Sequence, residues 1–198
     1  MIIEHRGRRP AVHESAYVSP AAVLSGDVTV GAGSRILHGA VLSAEDGPVN
    51  IGENVVVMEN AVVRGRAGHP ARVGDSVMIG PHAHVNGATI EARGFVATGA
   101  SLFPGSTLGA GAEVRINGVV QVNTRLAEDT VVPIGWVAVG DPAQLFAPDR
   151  HDDIWAVQRE LGFAATVYGV GPEATMDDIM RGQSQFFAAH RDDTVLDG

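Results

Sequence analysis

The sequence predicts a mainly β fold in which short strands stack as a solenoid over residues 1–143, followed by a helical segment over residues 144–198 that packs against it. Two observations lead there. An aliphatic residue recurs every six positions through most of the chain. Glycine is also abundant, at 25 of 198 residues against an average share of about 7%, while aromatics are only 5% within a hydrophobic fraction of 45%. Thin aliphatics and small residues must therefore alternate.

The period starts at Val12 and passes through Val18, Leu24, Val30, Ile36 and Leu42. An insertion around Asp46-Gly47-Pro48 resets the phase to Ile51, Val57 and Val63, and a loop from Arg66 to Arg72 resets it to Val73, Ile79 and Val85. After a five-residue step it resumes at Ile90, Val96, Leu102, Leu108, Val114, Val120, Leu126 and Val132. All of these positions are aliphatic, where a 45% hydrophobic composition would leave about half of them polar. Four places after each aliphatic the residue is usually small or thin, as at Ala22, Ser34, Ala40, Ala61, Ala83 and Ala100. Glycine often follows the aliphatic directly, at Gly31, Gly52, Gly74, Gly80 and Gly109, where a turn with positive φ is expected. An amphipathic helix would space its apolar residues by three and four, and a half-buried strand by two, so neither template fits. The pattern resembles the hexapeptide repeat of single-stranded left-handed parallel β-helices, in which three hexads make a triangular coil with the aliphatics inside. The resemblance covers about residues 12–143 and implies six to seven coils, whose stacking buries a core that no single repeat could bury.

The hexads stop after Gly140-Asp141-Pro142-Ala143. Asp149 followed by Ile154, Val157 and Leu161 predicts a capped helix with one apolar stripe. Gly169 to Pro172 is a turn, and Thr175 with Asp178 three places later is a capping-box signature opening a helix that carries Ile179, Phe186 and Phe187. These helices are expected to cover a flank and an end of the solenoid and to protect open sheet edges, without a catalytic role.

Composition narrows the function. The formal charge of −9 argues against nucleic acid or an anionic membrane surface as a partner. With no cysteine there is no disulfide framework, iron–sulfur cluster, Cys-ligated zinc or cysteine nucleophile. No apolar run approaches the roughly 20 residues of a membrane span, and the start has no signal-peptide stretch, so a soluble, cytoplasmic protein is the expectation. Nucleotide-binding Gly-rich motifs and a Gly-x-Ser-x-Gly elbow are absent.

Residues outside the period carry a further resemblance. The stretches Ile36-Leu37-His38-Gly39-Ala40-Val41-Leu42, Ile51-Gly52-Glu53-Asn54, Val73-Gly74-Asp75-Ser76-Val77-Met78-Ile79-Gly80 and Val139-Gly140-Asp141-Pro142-Ala143, with both insertions and the five-residue step, resemble the γ-carbonic-anhydrase-like family. That resemblance implies a homotrimer with zinc held between protomers by three histidines. Carried over residue by residue, the ligands fall on Arg64, Pro81 and Asn86. Arg and Pro cannot ligate zinc and Asn is a poor ligand, so zinc is not expected at the family position, nor carbon dioxide hydration by the family mechanism. The family's acidic positions persist only as Glu45 and Glu59. His69, His82 and His84 are the residues from which a relocated three-histidine metal site across a subunit boundary could be built, with His82 and His84 on one face of a strand.

If every third hexad shares a face, Ser43, Arg64, Asn86, Phe103 and Gln121 form one column, and His38, Glu59, Pro81 and Thr98 a second. The resemblance places these columns on either side of an inter-subunit cleft. Arg64 there either pairs with Glu59 or binds a small anion such as a carboxylate, since a guanidinium stays charged and bonds carboxylate bidentately. Three other functions stay open: a hexapeptide acyltransferase with an acyl-CoA donor and His69 as base, a non-catalytic trimeric scaffold, and a carbonic anhydrase with a moved metal. CoA is a cofactor only under the first of these.

Overall fold

The computed structural model describes residues 1–196. Short strands stack into three sheets that wind as a parallel β-solenoid of about eight turns, with helices after it. Two sheets have seven strands, and the third has ten, its two outermost strands running antiparallel. The six-to-seven-coil expectation was short because it began at Val12 and ended at Val132. Ile2–Glu4 pairs in parallel with Val23–Ser25, and Val137–Val139 with Val119–Val120, lengthening the stack at both ends.

The aliphatic ladder is the core. Of the period positions all but Val12 and Val18 are buried, and the small residues four places on, from Ala22 to Ala112, are buried with them. Each aliphatic sits in register over its counterpart one coil away, as in Leu24↔Leu42, Leu42↔Val63 and Val63↔Val85. The five-residue step ends Val85–Ile90 without loss of register, because Ile90 pairs with Val73 and Leu108.

The glycines that follow the aliphatics act differently from the expectation. Gly31, Gly52, Gly74, Gly80 and Gly109 do not have positive φ; the left-handed residue lies two places later, at Gly33, Asn54, Ser76, His82 and Gly111. These five are glycine because adjacent coils nearly touch there. A Cβ on Gly31 would lie 2.5 Å from the Gly52 carbonyl oxygen, and one on Gly109 2.6 Å from the Glu128 nitrogen. Backbone approach, not backbone dihedral, selects the residue.

The end of the chain folds as three helices, α1 (His151–Gln158), α2 (Phe163–Tyr168) and α3 (Met176–Phe187). Asp149 does not cap α1: the N-cap is Arg150, with no side-chain cap bond. The capping box of α3 is present, Thr175 Oγ1 accepting from the Asp178 nitrogen while Asp178 accepts from the Thr175 nitrogen. Buried Ile154 seats α1, and Val157 reaches Gly140 at the end of the solenoid. Two strands were not foreseen. Gln144–Phe146 pairs antiparallel with Val137–Val139, and Thr194–Leu196 pairs antiparallel with Ile2–Glu4, so the segment after residue 143 covers both edges of the ten-stranded sheet. Among the described residues no helix is long and apolar enough to cross a membrane.

Two glycine-to-alanine changes separate these effects. Gly31→Ala is expected to destabilise, because its Cβ meets backbone that cannot move aside. Gly182→Ala, in α3 with open space around it, is expected to stabilise by up to about 1 kcal/mol through helix propensity. Urea denaturation of both variants reads the opposite signs.

Candidate functional site

The polar face of the ten-stranded sheet is built by strand register. Ser25, Ser43, Arg64 and Asn86 are consecutive Cα partners across four strands, so their side chains line up on one outer face. Neighbouring strands are about 4.8 Å apart, which brings Arg64 beside Asn86. The second column also has its register, with the Asn60, His82 and Gly99 nitrogens donating to the His38, Glu59 and Pro81 carbonyls of the adjacent coil.

Arg64 is the centre of the first column. Its side chain is 30% exposed, yet its Nε is buried and has no hydrogen-bond partner among the described residues. The carboxylate nearest it within the chain is Glu45, at 3.7 Å from Nε to Oε1, and not Glu59, which lies in the other column. Ser43 Oγ donates to the same Glu45 oxygen at 2.7 Å. Asn86 is buried and its Oδ1 is likewise unpartnered, as are Ser25 Oγ and Gln121 Oε1 along the face. Phe187, at the end of α3, lies under the Arg64 guanidinium at 6.0 Å, and Phe186 packs at 4.3 Å against Arg66.

The histidines singled out from the sequence disperse. His82 sits at a coil corner with φ of 56°, whereas His84 opens the strand His84–Asn86, so they do not share a strand face. His69 turns back on Arg66 through paired backbone hydrogen bonds and packs against Gly87 and Gly105. His38 is exposed at another corner. Within the chain His69, His82 and His84 are not brought together as ligands: among the described residues the one set of three metal-capable side chains is His5, Glu45 and His190.

That cluster was not legible in the sequence. His5 is 2% exposed and Glu45 4%, and the His5 and His190 rings stack with centroids 4.5 Å apart. Asp193 takes both Nδ1 atoms, at 2.5 Å from His5 and 2.9 Å from His190. On the other side, His5 Nε2 lies 3.1 Å from the Glu45 carbonyl and His190 Nε2 2.9 Å from Glu45 Oε2. Burial acts to lower the His190 pKa, but its hydrogen bond to Asp193 and the charge and hydrogen bond of Glu45 outweigh this and raise it. Burial acts to raise that of Asp193, and the bonds from His190 and His5 bring it down instead. Glu45 alone had a signal, as the acid before the first insertion; His190 and Asp193 are three residues apart, but their contacts to Glu45 and His5 span 145 and 188 residues and that of His5 to Glu45 spans 40.

The chain is 33% identical over 154 residues to γ carbonic anhydrase 1 of Arabidopsis thaliana, covering 74% of this chain and 54% of that protein. It is 23% identical over 159 residues to a carbonic anhydrase of Geobacillus kaustophilus, covering 80% and 84%. The chain belongs to the γ-carbonic-anhydrase-like family. It spans about half the length of the plant relatives of that family, the first of which is named as mitochondrial. No family model matches the sequence. Two solved acyltransferases share the fold alone. The UDP-N-acetylglucosamine acyltransferase of Bacteroides fragilis aligns with a TM-score of 0.59 at 16% identity, covering 87% of this chain and 78% of that one. That of Moraxella catarrhalis gives 0.51 at 12%, covering 92% and 88%.

His84 reports on the column. Desolvation, and secondarily the Arg64 charge, lower its pKa, so it titrates below the ordinary histidine range. Arg64→Met is expected to raise the His84 pKa only part of the way back, since desolvation is the larger cause. An NMR pH titration of the histidine ring protons measures this, and an unmoved His84 in the variant would contradict the assigned neighbour.

Proposed function

We propose that this γ-carbonic-anhydrase-like chain works as a homotrimer whose clefts bind a small carboxylate at Arg64, and that it does not hydrate carbon dioxide by the zinc mechanism. The observation that carries the reading is the buried, unpartnered Nε of Arg64. A buried donor without a partner costs about 1–3 kcal/mol, and more for a charged group, whereas a carboxylate oxygen would satisfy it with a charge-assisted bond. Glu45 at 3.7 Å is too far to do so. Asn86 Oδ1, one strand away, offers a free acceptor, so a ligand carrying both a carboxylate and a hydroxyl answers both groups.

The family resemblance carries the zinc ligands onto Arg64, Pro81 and Asn86. An always-protonated guanidinium and a proline ring have no lone pair for zinc, so this donor set does not fit the metal. Self-association has its own support in an apolar groove of about 420 Å³ lined by Met58, Met78, Pro81, Phe95, Ile116 and Ile134. Met78 is 41%, Ile116 45% and Ile134 66% exposed, a contiguous apolar surface of the kind that marks protein contacts.

Thermal melting with lactate, bicarbonate, acetate and acetyl-CoA tests the ligand. Lactate or bicarbonate is expected to raise the melting temperature, by the equivalent of about 2.7 kcal/mol at a hundredfold excess over Kd, and Arg64→Met to abolish the rise. A rise that survives Arg64→Met, or none with any carboxylate, would overturn the anion site; one seen with acetyl-CoA alone would favour acyl transfer. Light scattering on the full chain is expected to give a trimer that Ile134→Asp weakens. With zinc added, carbon dioxide hydration is expected at the uncatalysed rate, and turnover lost in the His5, Glu45 or Arg64 variants would refute the inactive reading.

A further inference from the structure

We propose that His5, Glu45 and His190 bind one divalent transition-metal ion of the zinc class, through the Nε2 atoms of both histidines and the Glu45 carboxylate. One potential ligand atom from each of the three lies within 4.8 Å of the other two. Tetrahedral coordination with bonds of about 2.0–2.1 Å sets ligand atoms about 3.4 Å apart, so His190 Nε2 and Glu45 Oε2, 2.9 Å apart without the ion, open by about half an ångström, while a pair at the 4.8 Å limit closes by about 1.4 Å. Two of the three donors are buried, and the third, His190, is held by two hydrogen bonds.

The disposition of the ring nitrogens points the same way. Asp193 is an acceptor and faces Nδ1 of both rings, at 2.5 and 2.9 Å. A neutral imidazole has one ring proton, and Asp193 takes it in each case, which leaves an Nε2 lone pair on both rings. Those lone pairs face oxygens: the Glu45 carbonyl for His5 and Glu45 Oε2 for His190. A lone pair opposed to an oxygen is repulsive, and either a proton or a metal ion shared between the two relieves it: at 2.9 and 3.1 Å a proton does so in the metal-free chain, and a divalent ion takes its place on binding. Protons on both Nε2 atoms would put two imidazolium rings face to face at 4.5 Å, whereas one divalent ion meets both rings and the carboxylate at once. A carboxylate fixing the far nitrogen of each metal-bound histidine is the usual outer support of such a site.

Two imidazoles and a carboxylate, with no thiolate, suit Zn²⁺, Co²⁺ or Ni²⁺ rather than calcium or magnesium, which take oxygen ligands. Three protein ligands leave a fourth position for water or an anion. A cavity of about 230 Å³ adjoins His5 and Glu45, with Arg6 and Arg8 facing Asp27 and Asp46 in its lining, so that position has room and charged neighbours of both signs. The ligands also join distant parts of the chain. His5 follows the first strand, Glu45 precedes the first insertion, and His190 and Asp193 precede the last strand, which pairs with the first. The ion would fasten the end of the helical segment to the solenoid.

The test uses the full chain, freed of metal with a chelator and titrated with Co²⁺. One equivalent per chain is expected, with the visible absorption of four-coordinate Co²⁺ and displacement by Zn²⁺. His190→Ala is the decisive variant, because the His190 side chain is 35% exposed and its loss leaves the solenoid core intact. It is expected to lower the affinity about 100-fold or more, and Asp193→Asn about 10- to 100-fold, with circular dichroism checking that both are folded. His5 is buried, so its replacement tests folding as well as binding. His82→Ala and His84→Ala are expected to leave the Co²⁺ spectrum unchanged. Arg64→Met should keep Co²⁺ binding while losing the carboxylate response, and His190→Ala should do the reverse, so the two sites fail separately. No four-coordinate Co²⁺ band in the wild-type chain, or an unchanged affinity in folded His190→Ala, would overturn the proposal.

Discussion

Adjacent coils of this solenoid approach so closely that carbonyl and amide groups of one coil occupy the place a side chain would take on the next. Gly31, Gly52, Gly74, Gly80 and Gly109, each after a core aliphatic, are glycine for that reason, with a Cβ on Gly31 or Gly109 falling 2.5–2.6 Å from backbone atoms of the adjoining coil. The spacing fixes everything else. Each inner strand buries an aliphatic stacked in register with the coil before and after it, and the inward positions four places on take small or thin residues such as Ala40, Val55, Ala61 and Ala83. Every outward position is thereby also in register, and polar residues far apart in sequence fall into straight columns. Ser25, Ser43, Arg64 and Asn86 are neighbours because Leu24, Leu42, Val63 and Val85 stack beneath them.

A stack of this kind has two raw ends, and the segment after residue 143 meets both. Gln144–Phe146 turns back on the last parallel strand, and after three helices Thr194–Leu196 adds to the first. Both added strands are antiparallel, so each ends the parallel stack rather than extending it for another copy. On its way α3 lays Phe187 and Phe186 against Arg64 and Arg66, and the turn beyond it brings His190 and Asp193 to His5. The element that closes the fold is therefore the one that walls the polar column.

The solenoid could be read from sequence because its period is local: every step depends on residues six apart, and the insertions at Asp46 and Arg66 only shift the phase. The columns followed from the same count, and Arg64 and Asn86 stand side by side as the period requires. Corner chemistry was less legible. His82 and His84 look like a strand pair by spacing, but His82 occupies the left-handed corner that Asn60 and Gly99 fill on the adjacent coils, which turns it away from the strand that His84 begins. The His5–Glu45–His190–Asp193 cluster was out of reach for a different reason. No period links its members; they meet through strand pairing between the two ends of the chain, an antiparallel contact that two short segments of ordinary composition do not announce.

Membership of the γ-carbonic-anhydrase-like family and the chemistry of the column pull in different directions, and Glu45 shows how both can hold. Family register determines where side chains point, and it leaves open which atoms they bring. With a guanidinium at 64 and an amide at 86, the column presents one fixed positive charge and one unpartnered acceptor. Glu45 faces that column with Oε1 and the histidine cluster with Oε2. Its two oxygens thus meet different neighbours a few ångströms apart, Ser43 and Arg64 at Oε1 and His190 at Oε2. Glu45 is 4% exposed and held at both oxygens, by Ser43 and by His190, which keeps it 3.7 Å from the Arg64 Nε. The unpartnered Nε follows from that division: the fold holds Glu45 toward the histidines and leaves the guanidinium one acceptor short.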